Sequence, residues 1–417
     1  MNIINYFYKN KSNIFLAILL IVIINILLKS DILYDFIWGG ENLFGDYKLN
    51  ISWLKWNYIG FDVLQHNNNH FDKLDIVQYK NHYGPIFLVL PFNFKLEFFY
   101  LNYFPYITIA LLLFSITFLI SPKNKLEYIV LFLSICNPST LLLIDRMNFD
   151  IYVFLITIFI IFNRFYFVNW ILISFLSLLK FYPAILGLNL ILENKNRKFL
   201  KLIFIILGIS LLSILYIYFN LDKYQAVFES MSSGKAGYHF LFSLKTIPKI
   251  MKYLFHGNYI FFVLLFSILF VLLIIYFCKL IKKNNLINLV DIYSSETKLF
   301  LLGSYILLIF YVAFSNYFYR EIFLIILFPL LFKLYNNKNI NLLTFFIYLI
   351  IFRYLFLFIY GYINVHDNIS HINNVRYFSK EFLFVITVKG IIDIFLMSFI
   401  GSFLFLISKK FIYQYKF

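Results

Sequence analysis

Six consecutive residues, Asp145-Arg146-Met147-Asn148-Phe149-Asp150, place three charges and an amide between two almost unbroken apolar runs. Charge beside membrane-embedded segments is costly, and it is kept where a polar substrate or a second charged element meets it. The residue types suit definite chemistry. Arg146 carries the planar fork that grips a phosphate, or it pairs with Asp145 or Asp150. Asn148 and Asp150 open a helix, where such side chains cap free backbone donors; sugar contact is the competing role. Farther on, Lys180-Phe181-Tyr182-Pro183 sets an ammonium at membrane depth, which needs a counter-charge. A lipid phosphate supplies one, and snorkelling to the headgroups is the alternative. Arg320, in Tyr319-Arg320-Glu321, stands at a helix boundary. There phosphate binding competes with interfacial anchoring, and Glu321 is its nearest partner.

These residues sit in a chain built for lipid. Apolar residues make up 62% of 417 positions and charged residues 13%, and the mean hydropathy is +0.82. Repeated runs of about 20 apolar residues are each long enough to cross a bilayer. The net charge of +16 comes mostly from short loops between these runs. That is the positive-inside pattern and excludes a nucleic-acid surface. Cys136 and Cys278 lie in or beside apolar runs, against a disulfide framework or a zinc site. The aromatic content of 23% follows an AT-rich coding bias and carries little functional weight.

The expected architecture is all-α: one polytopic domain over residues 1–417, with a long external loop at 30–98. Crossing helices are expected near 13–29, 99–120, 126–144, 149–163, 199–219, 258–278, 298–314, 321–335, 340–362 and 383–407. The first is a retained helix with a cytoplasmic N-terminus, since no small-residue cleavage site follows it. Residues 167–192 resist the scheme. Basic residues on both sides read as cytoplasmic, so this stretch must cross an even number of times, yet two full helices need about 40 residues. A broken or re-entrant hairpin turning at Lys180–Pro183 resolves the conflict. With it, Lys279, Lys282, Lys283, Lys333, Lys338, Lys409 and Lys410 all fall on the cytoplasmic side, as does the C-terminus. The loop 30–98, the Asp145–Asp150 cluster, Lys180, the loops 220–257 and 364–382, and Ser315–Arg320 then share the outer face.

The order of these motifs resembles the membrane-embedded glycosyltransferases of the C superfamily, and within them glycosyltransferase family 87. The resemblance rests on Gly45-Asp46-Tyr47, Tyr83-Gly84-Pro85, Asp145-Arg146-Met147-Asn148-Phe149-Asp150, Lys180-Phe181-Tyr182-Pro183 and Tyr319-Arg320-Glu321-Ile322-Phe323-Leu324. It spans about residues 30–330, and the spaced Asp-Arg-x-Asn-x-Asp and Lys-x-Tyr-Pro pair is its specific part. Met147 stands where the family has Gly, and Gly84 where it has Pro.

The resemblance implies a GT-C-like fold of about ten spanning helices plus the broken hairpin. It also implies transfer of a sugar, mannose by family habit, from a polyprenyl-phosphate donor to an envelope glycan or glycolipid at the outer face of a bacterial plasma membrane. Asp46 becomes the candidate general base, against a solvated loop carboxylate; Asp31 and Asp35 compete for the role. Arg146, Lys180 and Arg320 become candidates for the donor phosphate, and Asp145, Asn148, Asp150 and Tyr182 for substrate contact or structure. The residues suit that chemistry. A carboxylate takes the acceptor proton and cations steady the departing phosphate. No nucleotide leaves, so neither metal nor cofactor is expected.

Other features read more plainly. His66 and His70 flank Asn67-Asn68-Asn69 in a loop, and Ser232–Gly237 lacks the full phosphate-loop spacing. Trp53, Trp56 and Tyr58 suit an interfacial helix. Two rival functions stay open: a transporter of lipid-linked sugar or polysaccharide, which should show internal repeats, and an O-antigen-type polymerase.

Overall fold

A proline makes the first departure from the expected helices. The run expected as one helix over 126–144 is two, α4 (Lys125–Cys136) and α5 (Pro138–Arg146), bent by 44°. Pro138 forbids helical geometry at Asn137, which is extended (φ −73°, ψ 153°). The Asn137 side chain serves both broken ends. Its Nδ2 donates to the carbonyls of Leu133 (2.9 Å) and Ser134 (2.8 Å), and its Oδ1 accepts from the amides of Ser139 (3.0 Å) and Thr140 (3.1 Å). A buried break is thereby left with its polar groups satisfied.

The computed structural model describes residues 11–30, 44, 48, 63–66, 74–77, 94–163, 165–180, 182–187, 211, 214–222, 241–313, 316–337, 341–366, 371–372, 375–376 and 379–414. Before α4 come α1 (Lys11–Leu27), the antiparallel ribbon of β1 (Val63–His66) and β2 (Leu74–Val77), α2 (Glu97–Asn102) and α3 (Phe104–Ile120). After α5 come α6 (Asp150–Phe162), α7 (Tyr166–Leu179), β3 (Leu241–Phe242), α8 (Thr246–Phe255), α9 (Tyr259–Lys283) and α10 (Ser295–Ala313). The chain continues through β4 (Asn316–Tyr317), α11 (Phe328–Asn337), α12 (Asn341–His366), β5 (His371–Ile372), β6 (Val375–Arg376) and α13 (Lys380–Gln414). Among the described residues, α9, α10, α12 and α13 are long and apolar enough to cross a membrane, and α4–α5 makes a fifth if counted as one bent span. The chain is a helical membrane protein. The expected crossing at 199–219 lies mostly outside the described residues.

Two compact units emerge. One holds Met1–Leu43, Ile109–Arg146 and Ala236–Phe417; the other holds Phe44–Thr108 and Met147–Lys235.

In the larger unit, α13 is the central helix, with 83% of its apolar window buried, while α9 is peripheral at 11%. Lipid tails are as apolar as leucine, so helices here associate through close packing. Phe346 of α12 stacks on Phe399 of α13 (centroids 3.5 Å apart), and Phe277 of α9 meets both edge-on. Ser402 donates to the Ile274 carbonyl (2.9 Å) and Cys278 lies 3.7 Å from the Ser402 carbonyl; farther along both helices Lys282 and Lys409 border one cavity, so α9 and α13 run parallel.

The run expected as a helix over 321–335 is instead a 3-10 segment, Phe318–Leu327, followed by α11. Such long 3-10 runs are uncommon. Its residues from Ile322 to Leu327 are buried, and α10 reaches them at a glycine. A Cβ on Gly303 would stand 3.0 Å from Leu327 Cδ2 and 3.3 Å from the Phe323 carbonyl oxygen.

Polar contacts gather at one end of this unit. Asn13 bonds Ser121 (3.2 Å), Asn336 bonds Glu127 (2.8 Å), Lys333 pairs with Glu296 (3.0 Å), and Lys410 donates to the carbonyls of Ile287 and Val290 (2.9 Å each). The start of α1 and the finish of α13 therefore share an end. At the opposite end β3 pairs with β4, and Lys245 donates to the Ala313 carbonyl (3.3 Å) beside the segment that carries Arg320.

In the smaller unit, α6 and α7 form a helical hairpin. Asn169 closes its turn, donating to the carbonyls of Ile160 (3.2 Å) and Asn163 (3.1 Å) and accepting from the Asn163 side chain (2.7 Å). With 13 and 14 residues the two helices are nearly equal in length. The end of α7 thus returns to the start of α6. There α7 stops: Lys180 is extended (φ −139°, ψ 129°), and a 3-10 turn, Tyr182–Gly187, follows. The helix thus stops where the broken hairpin over 167–192 was expected to turn, while Phe181 and the rest of its second limb, residues 188–192, lie outside the described residues.

Candidate functional site

The hairpin explains why two distant motifs meet. Lys180 Nζ lies 2.6 Å from Asp150 Oδ1 and 3.5 Å from Asn148 Oδ1, and 5.7 Å from the centre of the Phe149 ring. Equal helix lengths bring the residue after α7 beside the residues that open α6. The Asp150 side chain is fully buried and that of Lys180 is 11% exposed. A buried carboxylate needs such a partner, since an unpaired charge would be far more costly than the pair. Lys180 therefore has a counter-charge within the protein, in addition to whatever meets it from outside.

Asn148 has a local task as well. Its Oδ1 accepts from the Asp150 amide (3.1 Å), and its carbonyl accepts from Ile151 (3.0 Å), which starts the helix. One residue earlier, Met147 is fully buried with φ +50°, in the left-handed region. Glycine enters that region without strain and methionine does not. The backbone shape a glycine would serve is thus kept with a different side chain.

The remaining sequence candidates are placed as follows. Asp145 is buried and Arg146 half-buried, and both belong to the larger unit. Arg320 is half-buried there, its guanidinium carbon 4.6 Å above the Phe310 ring. Asp46 lies outside the described residues, as do Asp31, Asp35, His70, Ser232–Gly237, Trp53, Trp56 and Tyr58. Tyr182 opens the 3-10 turn, and its side chain is likewise outside. His66 ends β1.

The larger unit also holds a cluster the sequence reading did not assemble. Glu321, Arg353, Lys389 and Asp393 are all buried. Arg353 Nε is 2.7 Å from Asp393 Oδ1 and Arg353 Nη2 is 2.5 Å from Glu321 Oε1. Lys389 Nζ is 2.8 Å from Asp393 Oδ2 and 3.6 Å from Glu321 Oε1. Glu321, expected as a partner for Arg320, faces Arg353 and Lys389. The Phe242 ring lies 6.0 Å from the Arg353 guanidinium carbon and 5.9 Å from Lys389 Nζ. Two cations and two carboxylates leave the cluster neutral. The signal was present in the sequence: Arg353 midway along an apolar run, and Lys389 with Asp393 one helical turn apart in another.

No family model, curated protein or solved structure matches the chain. What can be said of function therefore rests on these residues. Among the described residues, no three of His, Cys, Asp and Glu gather to hold a metal ion. The smaller unit offers a hydrogen-bonded Lys–Asp–Asn group at a helix break, suited to an anionic or hydroxyl-rich ligand. The larger unit offers two arginines, Arg146 and Arg320, and a sealed neutral network that ties the 3-10 segment to α12 and α13.

Proposed function

We propose that the protein is a membrane glycosyltransferase of the C type, moving a sugar from a polyprenyl-phosphate donor to an envelope glycan or glycolipid. The observation that carries this reading is the contact of Lys180 with Asp150 and Asn148. It joins the two motifs on which the family resemblance depends, and the left-handed Met147 keeps the backbone form of the glycine that the family places there.

In this reading about ten helices cross a bacterial plasma membrane and both termini are cytoplasmic. The acceptor hydroxyl oxygen attacks the anomeric carbon and the bond from that carbon to the phosphate oxygen breaks. The configuration at the anomeric carbon inverts, and polyprenyl phosphate departs. Asp46 takes the hydroxyl proton. A cation offsets the charge that grows on the phosphate, the candidates being Arg146, Lys180 and Arg320. Asp150 and Asn148 orient Lys180. Mannose is the first sugar to try.

The experiment is transfer of radiolabelled sugar from synthetic polyprenyl-phosphate donors by purified protein in native lipids, with Asp46→Asn alongside. Transfer by the parent protein that is lost in a folded Asp46→Asn variant supports class and base together. Transfer that persists in the variant keeps the class and moves the base to Asp31, Asp35 or Asp145. A second reading, a transporter of lipid-linked sugar, draws on the four charges buried among the larger unit's helices. Donor flipping in liposomes without transfer would replace the first reading with the second.

A further inference from the structure

Where α9 and α13 finish side by side, their ends border an open cleft of about 360 Å³, within the ordinary ligand range of about 300–1,000 Å³. Its polar lining residues are Lys282 of α9, Asn285 and Asn288 just beyond it, and Lys409, Lys410 and Tyr413 of α13. Among the described residues, no carboxylate lines it. The nearest acid along the chain, Asp291, instead accepts from the Tyr293 amide (3.0 Å).

The three ammonium groups are held in different ways. Lys410 Nζ is fixed by the carbonyls of Ile287 and Val290, which orient it without cancelling its charge. Lys409 Nζ lies 5.5 Å from the centre of the Tyr413 ring. Lys282 ends a helix whose apolar side is open to lipid along almost its whole length. The cavity therefore opens where the apolar stretch of α9 gives way to water, at headgroup depth. This is the reverse of the buried cluster at Arg353, where every cation faces a carboxylate.

We propose that this pocket binds a phosphate-bearing anion, with Lys282 and Lys409 gripping the phosphate and Asn285 and Asn288 donating to its oxygens. Its depth makes a phospholipid headgroup the natural source, and a free phosphate ester shares the same chemistry. The site lies at the end of the larger unit away from Arg320 and is independent of the sugar-transfer reading.

The test uses the full chain in mixed micelles, with bound lipid measured by native mass spectrometry against phosphatidylglycerol and phosphatidylcholine. Inorganic phosphate and glycerol phosphate form a separate arm. Lys282→Gln with Lys409→Gln is compared with Lys279→Gln and Lys283→Gln, which remove the same charge at the same end but outside the pocket. Lys410 is left intact because it supports two carbonyls. The expected result is selective retention of phosphatidylglycerol, weakened about tenfold more by the pocket pair than by the control pair. Binding of soluble phosphate alone, lost in the pocket pair, would support the site and assign a free ester as its source. Equal losses in both pairs, or no preference over phosphatidylcholine together with no phosphate binding, would overturn the proposal.

Discussion

Arg353, midway along the 26-residue α12, directs its Nε to Asp393 of α13 at 2.7 Å, with both side chains sealed from solvent. The pair is one edge of a neutral four-charge network, and its value depends on completeness. Removing one member of a buried pair costs about 3–5 kcal/mol, because the survivor stays buried and uncompensated. Asp393→Asn should lower the thermal unfolding temperature sharply. Arg353→Met combined with Asp393→Leu should recover much of the loss, leaving Glu321 and Lys389 to pair. A double variant no better than Asp393→Asn alone would contradict this account.

The Lys180–Asp150 contact separates structure from chemistry. Lys180→Met removes the ammonium 2.6 Å from a fully buried carboxylate and should destabilise the smaller unit by about 3 kcal/mol. Adding Asp150→Asn should restore stability in a chemical-denaturation series. If Lys180 meets the donor phosphate, sugar transfer stays at least tenfold down in the restored double variant. Transfer that returns along with stability would make the lysine structural only.

Met147 gives an unusual ordering of variants. Alanine removes its buried side chain and keeps the left-handed strain, whereas glycine removes slightly more side chain and releases the strain. Left-handed geometry costs about 1–2 kcal/mol for an L residue. Met147→Gly should therefore be about 1 kcal/mol more stable than Met147→Ala, the reverse of their order inside a helix. Midpoints in a detergent unfolding titration decide it.

Two glycines should respond oppositely to alanine. At Gly303 the new methyl would press on Leu327 and the Phe323 carbonyl of the 3-10 segment, a cost of about 1–3 kcal/mol. At Gly401 the nearest atom is Ile274 Cδ1 at 3.4 Å, an ordinary contact. Gly401→Ala should be neutral or stabilising, by up to about 1 kcal/mol. Unfolding temperatures measured in one detergent would show whether the signs differ.

What the sequence disclosed follows from the kind of signal each feature carries. Long apolar runs announced α9, α10, α12 and α13, because length and hydropathy alone define a span. Pro183 announced the break after Lys180, since proline acts locally and visibly. Pro138 was equally visible, but it sat in an apolar run that read well as one helix over 126–144. The 3-10 segment ends just before Pro329, which cannot donate to the carbonyl of Ile325 and so breaks a continuous α-helix over 321–335; like Pro138, it sat in an apolar run that read well as one helix. Arg353, Lys389 and Asp393 could each be read as charges out of place. Their union with Glu321 depends on how α12 and α13 dock, which spacing along the chain does not encode.

The neutral network also bears on how the chain is made. The central helix of the larger unit is made after α9 to α12, so those helices meet the bilayer before their scaffold exists. Arg353 is tolerable in that interval because Glu321, synthesised just ahead of it, can already face it. Lys389 and Asp393, one turn apart on α13, enter as a self-cancelling pair. Neither of these two steps thus adds net charge to the membrane interior, and α13, once made, packs against the helices that precede it.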